Sequence, residues 1–162
     1  MISSNILNIL NRQVNKELYS AYLYLSMSNY FSKIGLCGFA NWLISQAEEE
    51  KQHAMDFYNH IKLRNSNVEL YEIDNPPEKW NSPKHAFQEA LEHEKLVTNS
   101  IHNIMKNANS EEDFATASFL DKYIQEQIEE EKTFSDIIAK IEMLGDDKMA
   151  LIMLDNEYNG RE

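Results

Sequence analysis

Apolar residues recur along this chain at alternating steps of three and four, which is the spacing of helices that bury one face. Four stretches show this pattern, and we call the apolar stripe of each stretch its seam. The seam of the second stretch runs through Phe39, Leu43, Gln46, Glu50, His53 and Phe57. Only four glycines and three prolines interrupt the 162 residues. The pattern predicts an all-α protein made of long helices.

Capping residues divide the chain into five predicted helices within one domain, residues 1–162. Ser3 or Ser4 can cap the first helix, Ser82 with Pro83 begins the third, and a capping box at Ser110 begins the fourth. The predicted bounds are about 4–33, 38–64, 83–109, 111–144 and 147–158. The fifth helix is apolar, and we expect it to pack against another subunit.

One long connection, residues 65–81, separates the second helix from the third. A helix of about 27 residues is roughly 40 Å long, and a loop of about 17 residues can reach roughly 55 Å. The connection can therefore cross the whole bundle, which would make the third helix parallel to the second. The predicted fold is a four-helix bundle with a long crossover and a short C-terminal fifth helix.

Polar residues break every seam near its midpoint. The breaking residues are Glu17, Glu50 with His53, Glu94, and Gln127 with Glu130. A single glutamate on a seam more often reaches water at the helix edge, but four coincident interruptions indicate one polar layer. Carboxylates buried together repel one another, and two divalent cations would neutralise them. Oxygen ligands with one imidazole and no thiolate favour Fe(II) or Mn(II), with zinc as an alternative.

The spacing of these residues supports a two-metal centre. Bundles that hold two irons take a glutamate from each of two helices and a Glu-x-x-His pair from each of the other two. Glu50 and His53 form such a pair, and residues three apart share a helix face. Three helices of this chain match that scheme, whereas the fourth carries Gln127 and Glu130 instead.

The charge of the chain limits its partners. Fifteen basic residues against 27 acidic ones give a formal net charge of −12, which argues against binding nucleic acid or an anionic membrane. One cysteine, Cys37, excludes an internal disulfide. No apolar run approaches the length of a transmembrane helix, and the N-terminus does not resemble a signal peptide. We therefore expect a cytoplasmic protein.

Four features together resemble the non-haem ferritins of the bacterial type, over nearly the whole chain. They are Glu17 with Tyr24, the segment 48–53, Glu94, and the segment 126–130. The resemblance implies a first iron held by Glu17, Glu50 and His53. It implies a second iron held by Glu94 and Glu130 and bridged to the first by Glu50. Gln127 would hydrogen-bond near the oxidant, and Tyr24 is either a core residue or a donor to a ligand.

The same resemblance implies a third iron site and a storage function. The third site would use Glu49, Glu126 and Glu129 together with Glu130. Ferritins assemble as shells of twenty-four chains, oxidise Fe(II) with dioxygen or peroxide, and store the ferric mineral. Gln52 stands where haem-binding relatives carry methionine, so no haem is expected. The acidic channel pair of animal ferritins would fall on Ala117 and Leu120, which departs from their iron entry route.

Two alternatives of other classes stay open at this point. A di-iron enzyme acting on an organic substrate would need an apolar cavity beside the metals. A helical binding or scaffold protein would use the acidic residues of the layer only for folding.

Overall fold

The computed structural model describes residues 2–160, and their secondary structure is helical. The helices are α1 (Ser4–Lys33), α2 (Cys37–Leu63), α3 (Pro83–Ser110), α4 (Phe114–Leu144) and α5 (Lys148–Tyr158). The predicted all-α bundle with a short C-terminal helix is confirmed. Within the described range, no helix combines the length and the apolar character that a bilayer crossing requires.

Two of the predicted helix caps are present and one is replaced. Ser3 accepts a hydrogen bond from the backbone N–H of Ile6, and Ser82 begins α3 in the same way, directly before a proline. The predicted capping box at Ser110 is wrong, because Ser110 is the last residue of α3. Glu112 has a positive φ of 56°, which separates the two helices. Asp113 then caps α4 by accepting from the N–H of Thr116 at 3.2 Å.

The connection between α2 and α3 runs alongside α1 and crosses the bundle. The backbone N–H of Glu69 donates to the side chain of Asn11 at 3.1 Å, and the hydroxyl of Ser26 donates to the carbonyl of Pro77. The loop therefore runs in the same direction as α1, and its later residues contact α1 closer to the C-terminal end of that helix. Trp80 packs its ring against the C-terminal end of α1. As a result α3 starts beside the end of α1 and runs parallel to α2, as predicted.

The apolar core consists of two clusters with the polar layer between them. The first cluster is rich in aromatic residues and includes Phe31, Phe39, Phe87 and Phe134. The second cluster includes Leu10, Phe57, Ile101 and Leu120. On each of the four long helices, the candidate ligands fall between the residues that join one cluster and those that join the other. The predicted layer therefore lies at mid-bundle, surrounded by packed side chains.

Helix α5 is attached to the N-terminus of α2 by a carboxylate. Leu36, the residue before α2, makes no capping hydrogen bond with its side chain. Instead the buried Asp155 accepts from the backbone N–H groups of Gly38, at 3.0 Å, and Phe39, at 2.7 Å. A Cβ on Gly38 would lie 1.8 Å from the carbonyl oxygen of Asp155, so only glycine fits there. The outer face of α5 exposes three large apolar side chains, Met149, Ile152 and Met153.

Candidate metal centre

Glu17 of α1 and Glu50 and His53 of α2 form a buried cluster at mid-bundle. Each offers one ligand atom, and these three atoms lie within 4.8 Å of one another. At most 6% of any of the three residues is exposed. Because Glu50 and His53 are three residues apart, both point to the same side of α2, and Nδ1 of His53 lies 3.5 Å from Oε2 of Glu50. The cluster has the composition and size of a cation site.

The two oxygens of Glu17 have different environments. Oε1 accepts a hydrogen bond of 2.7 Å from the amide of Gln13, one turn earlier on α1. Oε2 is buried and accepts from no N–H or hydroxyl group in the range 2–160. The carboxyl of Glu50 is close enough for a hydrogen bond between the two acids when one of them is protonated. Once both acids are ionised, the buried oxygen has no donor and carries a free-energy penalty. A cation bound at the cluster would remove that penalty.

Glu94 of α3 is held by two neighbouring side chains. Its Oε1 accepts from the hydroxyl of Tyr24, and its Oε2 accepts from Nε2 of Gln127 at 2.9 Å. All three residues are buried. Tyr24 therefore donates a hydrogen bond to a candidate ligand, which is one of the two roles considered for it above. Glu94 is not part of the cluster of Glu17, Glu50 and His53.

Burial governs the protonation of the centre. It raises the pKa of Glu17 and of Glu50 well above the usual value, and the charge of a neighbour, Glu50 for the first and Glu94 for the second, adds to this. Burial also raises the pKa of Glu94. For Glu130, burial and then the charge of Glu94 raise the pKa to about 8. Without metal the centre holds protons, and cations would displace them.

The residues predicted for a third site are only partly brought together. A cavity of about 450 Å³ beside the centre is lined by Glu49, Glu129 and Glu130, with Trp42, Gln46, Thr133 and Tyr158 completing its wall. Glu126 is not among the lining residues. Its Oε2 lies 3.6 Å from Nε2 of His53 and is buried without a hydrogen bond from the described chain. Three of the four predicted carboxylates thus share the cavity, and the fourth faces His53.

Two polar residues next to the centre were not predicted from the sequence. Gln13 is fully buried and donates to Glu17, and a spacing of four residues could have identified it as a neighbour on the same helix face. Ser100 of α3 contacts Gln13 from across the bundle. No local pattern marks Ser100, since the contact depends on how α1 and α3 are aligned.

The fold and the centre define a class of protein: a four-helix bundle with one crossover and a carboxylate and histidine site between its helices. The family model described as a ferritin-like domain matches residues 7–144. A bacterial non-heme ferritin of Staphylococcus aureus strain USA300 is 36% identical over 161 residues, which cover 99% of this chain and 97% of that protein. The non-heme ferritin of Campylobacter jejuni is also 36% identical, over 96% and 93% of the two chains.

Solved structures agree with these sequence matches. The open pore ferritin of the hyperthermophilic archaeon Archaeoglobus fulgidus superposes with a TM-score of 0.98 at 47% identity, covering 100% of this chain and 99% of that one. The chain belongs to the ferritin family, whose members store iron.

Proposed function

We propose that this ferritin oxidises Fe(II) at a two-iron centre inside each bundle, with dioxygen or peroxide as the electron acceptor, and stores the product as ferric mineral. The observation that carries the proposal is the buried cluster of Glu17, Glu50 and His53, in which one carboxylate oxygen has no N–H or hydroxyl donor within the described chain. Iron is the substrate of this reaction and also the stored cargo.

Glu17, Glu50 and His53 bind the first iron in this proposal, and Glu94 and Glu130 bind the second. Glu50 is suited to bridge the two ions because both of its oxygens accept. Burial is the largest cause of the raised pKa of Glu50, and the charges of Glu94 and Glu130 raise it further. Glu50 therefore lies near both of these carboxylates. Glu94 can bind the second iron while it keeps both hydrogen bonds, because an ionised carboxylate has about four lone-pair sites and Tyr24 and Gln127 occupy two of them.

The chemistry follows from the ligands. Hard carboxylate oxygens suit the ferric product, and the ions are oxidised side by side so that one acceptor takes both electrons. Two Fe(II) lose one electron each, and dioxygen takes two electrons and two protons to give hydrogen peroxide. When peroxide is the acceptor, the two electrons and two protons give water. Tyr24 and Gln127 hold Glu94 in place beside the reacting pair.

The neighbouring cavity gives the product a route out of the centre. Glu130 belongs to the centre and also lines the cavity with Glu49 and Glu129, which supports a third iron position there. Glu126, which faces His53, would need to turn to join it. Leu120, at one position of the acidic channel pair of animal ferritins, is apolar and fully buried, so this position offers no carboxylate for iron entry by their route.

Assembly into a shell of twenty-four chains is also part of the proposal. The exposed apolar face of α5, formed by Met149, Ile152 and Met153, is the surface that we expect a neighbouring subunit to cover. We place the protein in the cytoplasm, where Fe(II) is available. A di-iron enzyme acting on an organic substrate is less well supported, because the cavity beside the centre is lined by three glutamates.

Stopped-flow oxidation of Fe(II) by the apo protein tests the proposed activity. Glu50→Ala and His53→Ala each remove a ligand of the first iron, so we expect both variants to lose the fast ferric absorbance change. Glu48→Ala is the matched control, because Glu48 lies on the same helix but is exposed and pairs only with Lys51, at 3.2 Å. Wild-type rates in both site variants would refute the assignment of the centre.

A further inference from the structure

We propose that Gln13 is a positioning residue for the first iron: it holds one oxygen of Glu17 so that the other oxygen faces the metal. The inference rests on the proposed function and deepens it. Gln13 is fully buried, and its amide Nε2 donates to Oε1 of Glu17 at 2.7 Å. Oε2, the other oxygen of Glu17, accepts from no N–H or hydroxyl group within residues 2–160. Glu17 also offers one carboxylate oxygen to the cluster with Glu50 and His53.

A chain of hydrogen bonds fixes the orientation of the Gln13 amide. The ammonium of Lys16 donates to the hydroxyl of Ser100 at 2.7 Å, and that hydroxyl donates to Oε1 of Gln13 at 2.6 Å. An ammonium can only donate, so the hydroxyl accepts from it and uses its own proton toward Gln13. The carbonyl of Gln13 is thereby occupied, and the NH₂ group is left to face Glu17.

This direction matters because a flipped amide would place its carbonyl against the carboxylate of Glu17. Two acceptors in contact repel each other, and Glu17 would turn away from the geometry that presents Oε2. These hydrogen bonds therefore connect the exposed ammonium of Lys16 to the buried carboxylate of Glu17. Groups that hydrogen-bond a metal ligand from behind typically change metal affinity by about 10- to 100-fold when removed.

Calorimetric titration of the full-length apo protein with Co(II) tests this role without relying on turnover. Gln13→Met keeps the length and volume of the side chain but cannot donate. We expect it to bind the first Co(II) about 10- to 100-fold more weakly than wild type. Gln52→Leu is the control, because Gln52 donates to Asp56 over the same four-residue spacing, at 2.8 Å, but on the exposed surface, and leucine removes the donor without adding a thioether at this position. We expect wild-type affinity for that control.

Ser100→Ala separates positioning from simple filling of the core. It leaves Gln13 in place but removes the hydroxyl that orients its amide, so we expect a smaller but measurable loss of Co(II) affinity. If Gln13→Met fails to fold, the Co(II) affinity of Ser100→Ala still tests the positioning role. Circular dichroism melting of each apo variant is recorded alongside.

The outcomes are distinct. Weaker Co(II) binding by Gln13→Met and Ser100→Ala, with unchanged binding by Gln52→Leu, supports the positioning role. A lower melting temperature with wild-type Co(II) affinity overturns it and leaves Gln13 as a structural residue. If wild-type protein binds no Co(II) at all, the metal centre itself is wrong and the inference fails with it.

Discussion

The metal-free protein should lose stability as the pH rises from 6.5 to 8. The carboxyls of the centre, Glu130 among them, have pKa values raised by burial. Such a group holds a proton when folded that the unfolded chain has already released, so the free energy of unfolding falls with rising pH. His93, whose pKa burial lowers to about 4, and His60, whose pKa burial also lowers, have the opposite effect, and it fades as the pH rises above their usual value of 6.5. Between pH 6.5 and 8 the four carboxyls outweigh the fading contribution of the two histidines and determine the sign.

The contribution of Glu130 to this loss of stability follows from the shift of its pKa. With a pKa raised from 4.5 to about 8, this one carboxyl should remove about 1.5 kcal/mol of stability between pH 6.5 and 8. Glu130→Gln carries no titrating group and should show a shallower decline by about that amount. The assay is urea unfolding of EDTA-treated protein, followed by circular dichroism at both pH values. Saturating Co(II) should abolish the decline, because the metal takes the place of the protons.

Glu48→Gln serves as the control, since Glu48 lies two residues before Glu50 on α2 but on the exposed side of the helix, where it pairs with Lys51. Its unfolding free energy should follow the wild-type pH dependence. A metal-free wild type whose stability is flat or rises from pH 6.5 to 8 would refute the argument. Equal pH dependence in wild type and Glu130→Gln would show that Glu130 is not the buried, proton-holding group described above.

Four further results are expected. Glu126→Gln and Glu129→Gln should leave the first oxidation of Fe(II) intact but alter turnover in repeated iron additions; identical traces would make both residues plain surface acids. Truncation after Gly145 should reduce the particle size on a sizing column, and an unchanged elution volume would contradict the assigned role of α5. Asp155→Ala should destabilise the protein by about 1–3 kcal/mol in urea unfolding, because it leaves two helix N–H groups uncapped. Purified protein should show no Soret band, since Gln52 offers no thioether to haem, and a Soret band would overturn this.

The parts of the fold that depend on local periodicity could be predicted from the sequence. Each seam is a local pattern, and Glu50 and His53 sit three residues apart on one of them, so the polar layer and the crossover followed from spacing and loop length. The start of α4 could not be predicted in the same way. Ser110 and Asp113 are both good caps, and the positive φ of Glu112 decides between them.

Contacts between distant segments could not be predicted from sequence patterns. Asp155 caps α2 from 117 positions away in the chain, and Ser100 reaches Gln13 across 87 positions. Both contacts depend on how whole helices are aligned. The same holds for Glu126, which lies on α4 close to the cavity but faces His53. The direction of its side chain depends on packing between helices, which sequence spacing does not determine.

The most direct test of iron storage joins iron content to particle size. Apo protein is given excess Fe(II) in air and passed through a sizing column, and iron and protein are recorded together. Storage by a ferritin shell predicts many irons per chain, eluting with a particle far larger than one 19.0 kDa chain. A small particle carrying about two irons per chain would contradict storage and indicate a di-iron bundle with another role. Protein that elutes without iron would contradict the metal centre as well.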